Sequence, residues 1–470
     1  MSAPGLTLVE LAQWAGGDLV VREVAGDATA REALLRTVIH GATLDTRSLR
    51  PGMLFVPLPG SRTNGHAFLD EAFARGAGAA LCARAVYPRI RELPLGPLVL
   101  VDDVTASLQR LATRVRDHWA GWAIAVTGSA GKTTTKELVS AVLATTGPVL
   151  RSQGNLNNHW GLPLTLLGLE PEHRAAVLEL GMNHAGEIAA LAAIAHPNAC
   201  VITNAGSAHL ENLGSLDAIA REKASLAFAL RKGEPAFVGA DSPLLLAAVA
   251  GAPARIISYG MSARADVRPD DVEDRGPEGS RFRVEGFPPV RLRLIGMHQV
   301  ANALAALAVA RHLRIDPAAT VAALEAYRPL KGRMEVQHAA GATLLVDHYN
   351  ANPDSMRAAL ATLAGWPGAK RRIAVLGDMR ELGETAARLH AEVGEAVRSA
   401  ELWVVGEHAA DYAAGAARSG VTARRFSDKA AVAAALREEL GPGTVVLLKA
   451  SRGAALEDVL AGLPVELEEA

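Results

Sequence analysis

The chain has 470 residues, half of them hydrophobic, which is more apolar surface than one ordinary core can bury, so two to four domains are expected. With 48 Lys and Arg against 50 Asp and Glu, the formal net charge of −2 leaves no electrostatic case for nucleic acid or an anionic membrane surface, and any anion must be bound locally. There is no basic leader before the amphipathic spacing that starts near Leu6, and no run is both long and uncharged enough to span a bilayer. Cys82 and Cys200 sit in apolar runs as buried thiols, which suits a reducing compartment, and a cytoplasmic monomer is expected.

Residues 1–118 read as a small α/β domain. A helix is predicted over Leu6–Ala15, strands over Thr43–Leu44 and Met53–Pro57, a helix over Ala67–Arg75, strands over Ala79–Ala83 and Leu98–Val101, and a helix over Thr105–Trp119. Asp45-Thr46-Arg47 and Asn64-Gly65-His66 are polar clusters at element ends, and periodicity alone makes them turn and cap residues.

Residues 119–329 change to strand, helix, strand, with buried runs at Ala123–Val126, Val177–Leu180 and Cys200–Thr203. That alternation predicts a parallel sheet covered by helices, with ligands at the carboxyl ends of its strands. The first strand runs into TGSAGKTT, a glycine loop opening a helix at Lys132. Such a loop gathers backbone N–H groups at the positive end of a helix, where a polyphosphate can replace water; the lysine supplies a cation and Thr133 a hydroxyl for Mg²⁺. Val126 stands where the longer form of this motif has its first glycine, and the ordinary reading is a strand-to-helix turn that contains a lysine. Gly-x-x-Gly-Lys-Thr-Thr directly after a buried strand nevertheless marks a nucleotide site. The other two strands end in ELGMNHAGE and TNAGSAHLE, which makes Glu179, His184, Glu187, His209 and Glu211 candidates for one site. After a charged interval at 263–279, FRVEGF and VRLRLIG alternate as β-hairpins appended to the main sheet, and Met297–Arg314 is an apolar helix carrying His298 and Asn302 on one face.

PLKGR marks a boundary, and residues 330–470 read as a Rossmann-like domain. Its predicted strands are Thr343–Val346, Ile373–Leu376, Leu402–Val405 and Val445–Leu448, and its helices Pro353–Leu363, Glu384–Ala400, Ala409–Ser419 and Asp428–Leu440. The fold class is therefore α/β with three domains: a central P-loop parallel-sheet domain between a small N-terminal α/β domain and a Rossmann-like tail.

Ten motifs in order, TGSAGKTT, NLNNHWGLPLTLL, ELGMNHAGEI, NAGSAHLENLGS, REKASL, GMHQVANALAA, GRMEV, VDHYNANPDSM, LGDMRELGE and LLKASR, resemble those of the Mur ligases of peptidoglycan synthesis over essentially the whole chain. The resemblance implies an ATP-dependent amide-bond ligase that forms an acyl phosphate and releases ADP and phosphate. The long YNANPDSM and GDMRELGE signatures resemble the members that add D-alanyl-D-alanine to UDP-N-acetylmuramoyl-tripeptide.

Carried over residue by residue, the resemblance places the phosphates on Gly128, Ser129, Ala130, Gly131, Lys132, Thr133 and Thr134. It puts Thr133 and Glu179 on one Mg²⁺, and His209 and a carbamylated Lys223 on a second, where residue type alone makes Lys223 a solvated helix lysine and His209 a capping or core histidine. His298 and Asn302 fall on the adenine side; Arg333 and Asp347 close over phosphates and ribose, with Lys449 near the same face. Asn157, Asn158 and Gly161 match a substrate-side loop, and Asp45, Thr46, Arg47 and His66 the region that holds the uridine nucleotide. The chain departs from the family pattern at His159, His348 and Ala450. Among rivals, a ligase adding a diamino acid or a folate glutamate shares the core motifs. A GTPase would need an Asn-Lys-x-Asp element, and a dehydrogenase a Gly-x-Gly-x-x-Gly after a strand of the third domain; neither occurs.

Overall fold

The computed structural model describes residues 5–21, 28–60, 63–93 and 96–466; the first four residues of the leader reading lie outside them. In the N-terminal part, the predicted first helix begins two residues late. Leu6–Thr7 pairs antiparallel with Val38–Ile39, and Thr7 caps the helix Leu8–Ala15 in a capping box with Glu10. The Thr7 hydroxyl accepts from Glu10 N–H (3.3 Å) and the Glu10 carboxylate from Thr7 N–H (2.9 Å), so two N–H groups at the helix start are satisfied reciprocally. A five-stranded sheet follows, in the order Asp18–Val20, Leu98–Val101, Ala79–Ala83, Leu54–Phe55, Ala42–Thr43, parallel except at its first pair.

Helix Val104–His118 joins this part to the centre, and one apolar cluster runs from Leu8, Leu54 and Val99 through Leu108 and Leu111 to Leu178 and Ile188. Arg116, buried in that joint, donates to the carbonyls of Ala195 (3.0 Å) and His196 (2.8 Å) and to Asn198 Oδ1 (2.8 Å). A buried guanidinium needs such partners, and these tie the two parts together.

The central sheet is six-stranded and wholly parallel, ordered Arg255–Tyr259, Pro235–Gly239, Ala199–Ile202, Trp122–Thr127, Ala175–Glu179, Val149–Arg151. The three predicted strands lie side by side at its middle, and the chain crosses from one side of Trp122–Thr127 to the other. A crevice opens at such a switch point beyond the carboxyl ends. Helices Lys132–Ala144 and His298–Leu313 cover one face.

The expected hairpins do not extend this sheet. Pro269–Asp274, Ser280–Val284 and Val290–Leu292 form a separate antiparallel sheet, linked to the edge strand by one bridge, Tyr259 to Val267. Their alternation leaves one wet face, which a parallel sheet covered by helices on both sides cannot offer, and the dry residues Phe282, Val290 and Leu292 pack into the helix-covered core instead.

The third sheet has seven strands, ordered Ala423–Phe426, Glu401–Val405, Arg371–Leu376, Thr444–Lys449, Ala342–Asp347, Glu335–Ala339, Val465–Glu466. The first five are parallel, and Glu335–Ala339 runs antiparallel to both neighbours. The four predicted strands are its buried middle; of the three unforeseen ones, Ala423–Phe426 and Val465–Glu466 are the edges and Glu335–Ala339 lies next to one, and none has a long apolar run. The predicted helix Glu384–Ala400 is a short 3₁₀ turn, Gly383–Thr385, followed by a helix over Ala386–Glu395.

Candidate active site

The carboxyl ends of the three middle strands of the central sheet meet the third domain around a cavity of about 910 Å³. Strand Trp122–Thr127 leads into the glycine loop, whose two glycines are required for different reasons. A Cβ on Gly128 would stand 1.8 Å from Thr203 Oγ1, and one on Gly131, at φ 78°, 2.4 Å from Asn302 Oδ1. The loop is pinned to its neighbour: Ser129 N donates to Asn204 O (3.1 Å), Ala130 N to Asn204 Oδ1 (2.9 Å), and Thr203 Oγ1 to Ala130 O (2.6 Å).

Ser129 and Ala130, expected on the phosphates, both line the cavity. Their N–H groups are engaged by Asn204, and the helix N-terminus from Gly131 through Lys132, Thr133 and Thr134, which also lines the cavity, presents N–H groups that an anion could take. Lys132 lies back over the loop, donating from Nζ to Gly128 O at 2.8 Å. Enclosure in the cavity wall lowers its pKa, and the Glu179 carboxylate opposes that shift.

Glu179 ends the strand Ala175–Glu179 and is only 3% exposed. Asn157 Nδ2 donates to its Oε1 at 3.0 Å, while Oε2 is buried with no partner. A carboxylate oxygen left bare in a site of this kind calls for a cation. Asn157, expected on the substrate, therefore orients Glu179. Asn158 accepts from Trp160 N (3.1 Å) and Gly161 N (2.8 Å), which makes it the brace of the helix Gly161–Leu166.

No group of three His, Cys, Asp or Glu side chains among the described residues could hold a metal alone. Mg²⁺ fits here only in a shared shell, with Glu179 and Thr133 giving oxygens beside those of a bound phosphate. Lys223, on helix Leu216–Phe228, is 1% exposed and stands behind the cavity wall rather than in its lining. Burial and the nearby Lys132 push its pKa well below the ordinary lysine value. The adjacent Glu222 carboxylate opposes that shift, and its two oxygens accept from Gly186 N (2.8 Å) and Ile188 N (2.9 Å). The expectation of a solvated helix lysine is thus excluded.

His209 adopts φ 62°, and its Nδ1 lies 2.6 Å from Glu381 Oε2 of the third domain, at ion-pair distance but without hydrogen-bond alignment. Three further contacts seat the third domain on the phosphate loop. Arg333 Nη2 donates to Thr133 Oγ1 (2.9 Å), Asn352 Nδ2 approaches Ser129 O (3.5 Å), and Asp354 Oδ2 accepts from the N–H (3.0 Å) and hydroxyl (3.1 Å) of Ser207. Arg333 also stacks on Tyr349, 4.0 Å from the ring centre.

Asn302 has both amide atoms engaged, accepting from Thr135 Oγ1 (3.1 Å) and donating to Gln299 Oε1 (2.8 Å), so it locks two helices together as it stands; His298 faces the cavity. Lys449, 2% exposed, lines the cavity and donates to Asp347 Oδ2 at 2.5 Å and to Asn350 O at 3.1 Å, which makes it the counter-ion of Asp347. His184 and Glu187 line the cavity, but Glu211 does not and packs on Gly383 instead.

Asp45, Thr46, Arg47 and His66 lie outside the cavity lining. Asp45 caps a 3₁₀ turn and pairs with the exposed Arg47, which holds its carboxyl down at about 2. Both ring nitrogens of the buried His66 are used, toward Asn64 Oδ1 (2.7 Å) and Ala83 N (2.9 Å). Of the departures, His159 packs on Trp160, His348 approaches Glu457 at 3.5 Å, and Ala450 is buried against Gly377. Asn204, Asp354 and Glu381 were not singled out from sequence; only the motifs NAGSAHLE, YNANPDSM and GDMRELGE carried them.

The chain matches the Mur ligase family catalytic domain over residues 38–116, the Mur ligase middle domain over 126–310 and the Mur ligase glutamate ligase domain over 332–452. It is 36% identical over 451 residues to the UDP-N-acetylmuramoyl-tripeptide–D-alanyl-D-alanine ligase of Bacillus subtilis (strain 168), covering 94% of this chain and 97% of that one. Among solved structures it resembles MurF from Acinetobacter baumannii (TM-score 0.83, 30% identity, 97% and 98% of the two chains). It also resembles the MurF ligase of Thermotoga maritima in complex with ADP (TM-score 0.78, 29% identity, 90% and 96%). With three domain matches in order and a relative of this identity along nearly its full length, the chain belongs to the Mur ligase family.

Proposed function

We propose that this chain joins D-alanyl-D-alanine to UDP-N-acetylmuramoyl-tripeptide at the expense of ATP, forming ADP and phosphate, as a cytoplasmic monomer that needs neither nucleic acid nor membrane. The observation that carries this reading is one cavity in which a helix N-terminus, Lys132, the half-bare Glu179 and His209 converge between two domains. The naming of the Bacillus relative and the ADP of the Thermotoga structure support the choice of substrates.

The chemistry follows from what these groups can hold. The tripeptide's terminal carboxylate attacks the γ-phosphorus and displaces ADP; the amine of the dipeptide then attacks the acyl carbon, loses a proton and expels phosphate. Two anions must first be brought together, which calls for positioned cations more than for a protein nucleophile. The N–H groups of 131–134 and the Lys132 ammonium take the phosphates, and Arg333 and Asp347 come from the third domain to phosphates and ribose, with His298 on the adenine side. Bound Mg²⁺ neutralises phosphate and carboxylate charge; Glu179 and Thr133 would hold one ion, and His209 with Lys223 another.

Lys223 suits that role only as a carbamate, since an ammonium has no lone pair. Its burial beside Lys132 favours the neutral amine that carbon dioxide requires. The N-terminal domain, through Asp45, Thr46, Arg47 and His66, takes the uridine end; Asn157, Asn158 and Lys449 serve the peptide end through the groups they orient.

The test is phosphate release by purified protein with ATP, the UDP-linked tripeptide and D-alanyl-D-alanine, omitting each in turn, against a panel of amines and with lysine or meso-diaminopimelate third in the tripeptide. Release that depends on all three is expected. Pyrophosphate as the stoichiometric product, or preference for a single amino acid over the dipeptide, overturns the reading.

A further inference from the structure

The third-domain loop 377–383 delivers a carboxylate for which the nucleotide cradle has no use. Glu381 adopts φ 63° and His209, which it faces, φ 62°. Two non-glycine residues in the left-handed region thus meet across the domain cleft, and strain of this kind persists where the surrounding structure over-determines it.

The surroundings do so here. Asp378 accepts from Glu407 N (3.1 Å) and His408 N (3.0 Å), Met379 N donates to His390 Nε2 (2.9 Å), and Arg380 N donates to Ser451 Oγ (3.0 Å). Gly383 is seated so closely on the helix that His209 opens that a Cβ there would stand 2.8 Å from Glu211 Cγ. Every residue from 378 to 380 is anchored, while the Glu381 side chain, 52% exposed, has its close contact with His209 alone among the described residues. The other contacts seating this domain, from Arg333, Asn352 and Asp354, go to the phosphate loop and its neighbour.

We propose that Glu381 is a positioning residue: with the third domain docked, its carboxylate accepts Nδ1–H of His209 and fixes the tautomer whose Nε2 lone pair faces the reacting centre. An ionised carboxylate only accepts, so the imidazole nitrogen beside it must carry the proton. Ligating histidines are commonly held in this way by a carboxylate on their other nitrogen. The 2.6 Å separation is that of a charge-assisted bond, and a turn of the ring supplies the alignment, as apo sites often require. Because the carboxylate and the imidazole belong to different domains, docking itself readies His209.

The test uses the full chain labelled with ¹⁵N-histidine, at about pH 8, where an ordinary imidazole is neutral. Long-range ¹H–¹⁵N spectra, with His209 identified by its loss in His209→Gln, are recorded without ligand and with ADP. Wild type should show the Nδ1–H form, Glu381→Ala the Nε2–H form that free histidine prefers, and Glu381→Gln, whose amide oxygen still accepts, the Nδ1–H form. In turnover, Glu381→Ala should lower kcat about 10- to 100-fold, the range for a lost orienting partner, with KM for ATP little changed, and Glu381→Gln should recover most of it. The same tautomer in wild type and Glu381→Ala under both conditions overturns the proposal. The turnover arm rests on the ligase reading and the tautomer arm does not, so wild-type protein inactive with the dipeptide would sink that reading while the spectra still decide the role of Glu381.

Discussion

Replacing Gly131 by alanine probes how the phosphate cradle is built. Gly131 has φ 78°, and its added Cβ would lie 2.4 Å from Asn302 Oδ1 and 3.2 Å from Asn302 Cγ. Left-handed backbone costs a residue with a β-carbon about 1–2 kcal/mol. The clash adds to this, because Asn302 must move and thereby loses its buried bonds to Thr135 and Gln299, each worth about 1 kcal/mol. The whole change should cost about 3–4 kcal/mol.

Two comparisons separate these contributions. Gly186→Ala, at φ 86° with nothing within 4 Å of the new Cβ, should cost only the backbone part, about 1–2 kcal/mol. In an Asn302→Ala background the two hydrogen bonds are already gone, so Gly131→Ala should cost about 2 kcal/mol less than in wild type. Hydrogen exchange of the amides in Lys132–Ala144 reads the local stability directly. Equal costs for Gly131→Ala in the two backgrounds would refute the reasoning, because the clash with Asn302 would then carry no energy.

Lys132→Ala should lower kcat by at least about 10²-fold while thermal unfolding is little changed, since the bond to Gly128 O is the only hydrogen bond its side chain makes among the described residues; near-normal turnover would mean the site is misplaced. Lys223→Ala should lose nearly all turnover yet bind ATP through the loop, and added short carboxylic acids should restore part of it; a plain amine at Lys223 in active wild-type protein, seen by ¹³C-carbamate spectroscopy, would remove the carbamate. Asp354→Ala deletes two bonds from Ser207 to a charged acceptor, each worth about 1.5–3 kcal/mol, so the ligand-free protein should expand in solution scattering; an unchanged radius would show that the other contacts suffice. Burial lowers the His66 pKa below the ordinary 6.5, so its contribution to stability is complete above that value and is lost as pH falls through the depressed one. Melting curves from about pH 8 to 5 should show that loss in wild type and a shallower one in His66→Gln; identical slopes would discount the buried imidazole.

What the sequence determined by itself is what local chemistry dictates. Ala79–Ala83 and Leu98–Val101 were bounded to the residue because buried parallel strands are unbroken apolar runs, and TGSAGKTT announced its loop because glycine, strand and helix have to follow one another to make it. The ordered motifs then sufficed for the family, since most of them lie at strand or helix ends, where function constrains residue type, although REKASL lies inside the helix Leu216–Phe228.

The tertiary structure alone decided which polar groups are free. Spacing does not show that the Ser129 and Ala130 N–H groups go to Asn204, that Asn158 Oδ1 accepts from Trp160 N–H, that the Asn302 amide is held by Thr135 and Gln299, or that Lys449 pairs with Asp347. Conversely, Glu179 Oε2 is left bare and Lys223 is buried beside Lys132, which no spacing reveals. The meeting of His209 with Glu381, and of Ser207 with Asp354, joins residues of separate domains whose approach depends on how two sheets dock. Side-chain satisfaction is a property of the packed neighbourhood, and that neighbourhood exists only once distant strands have been brought together.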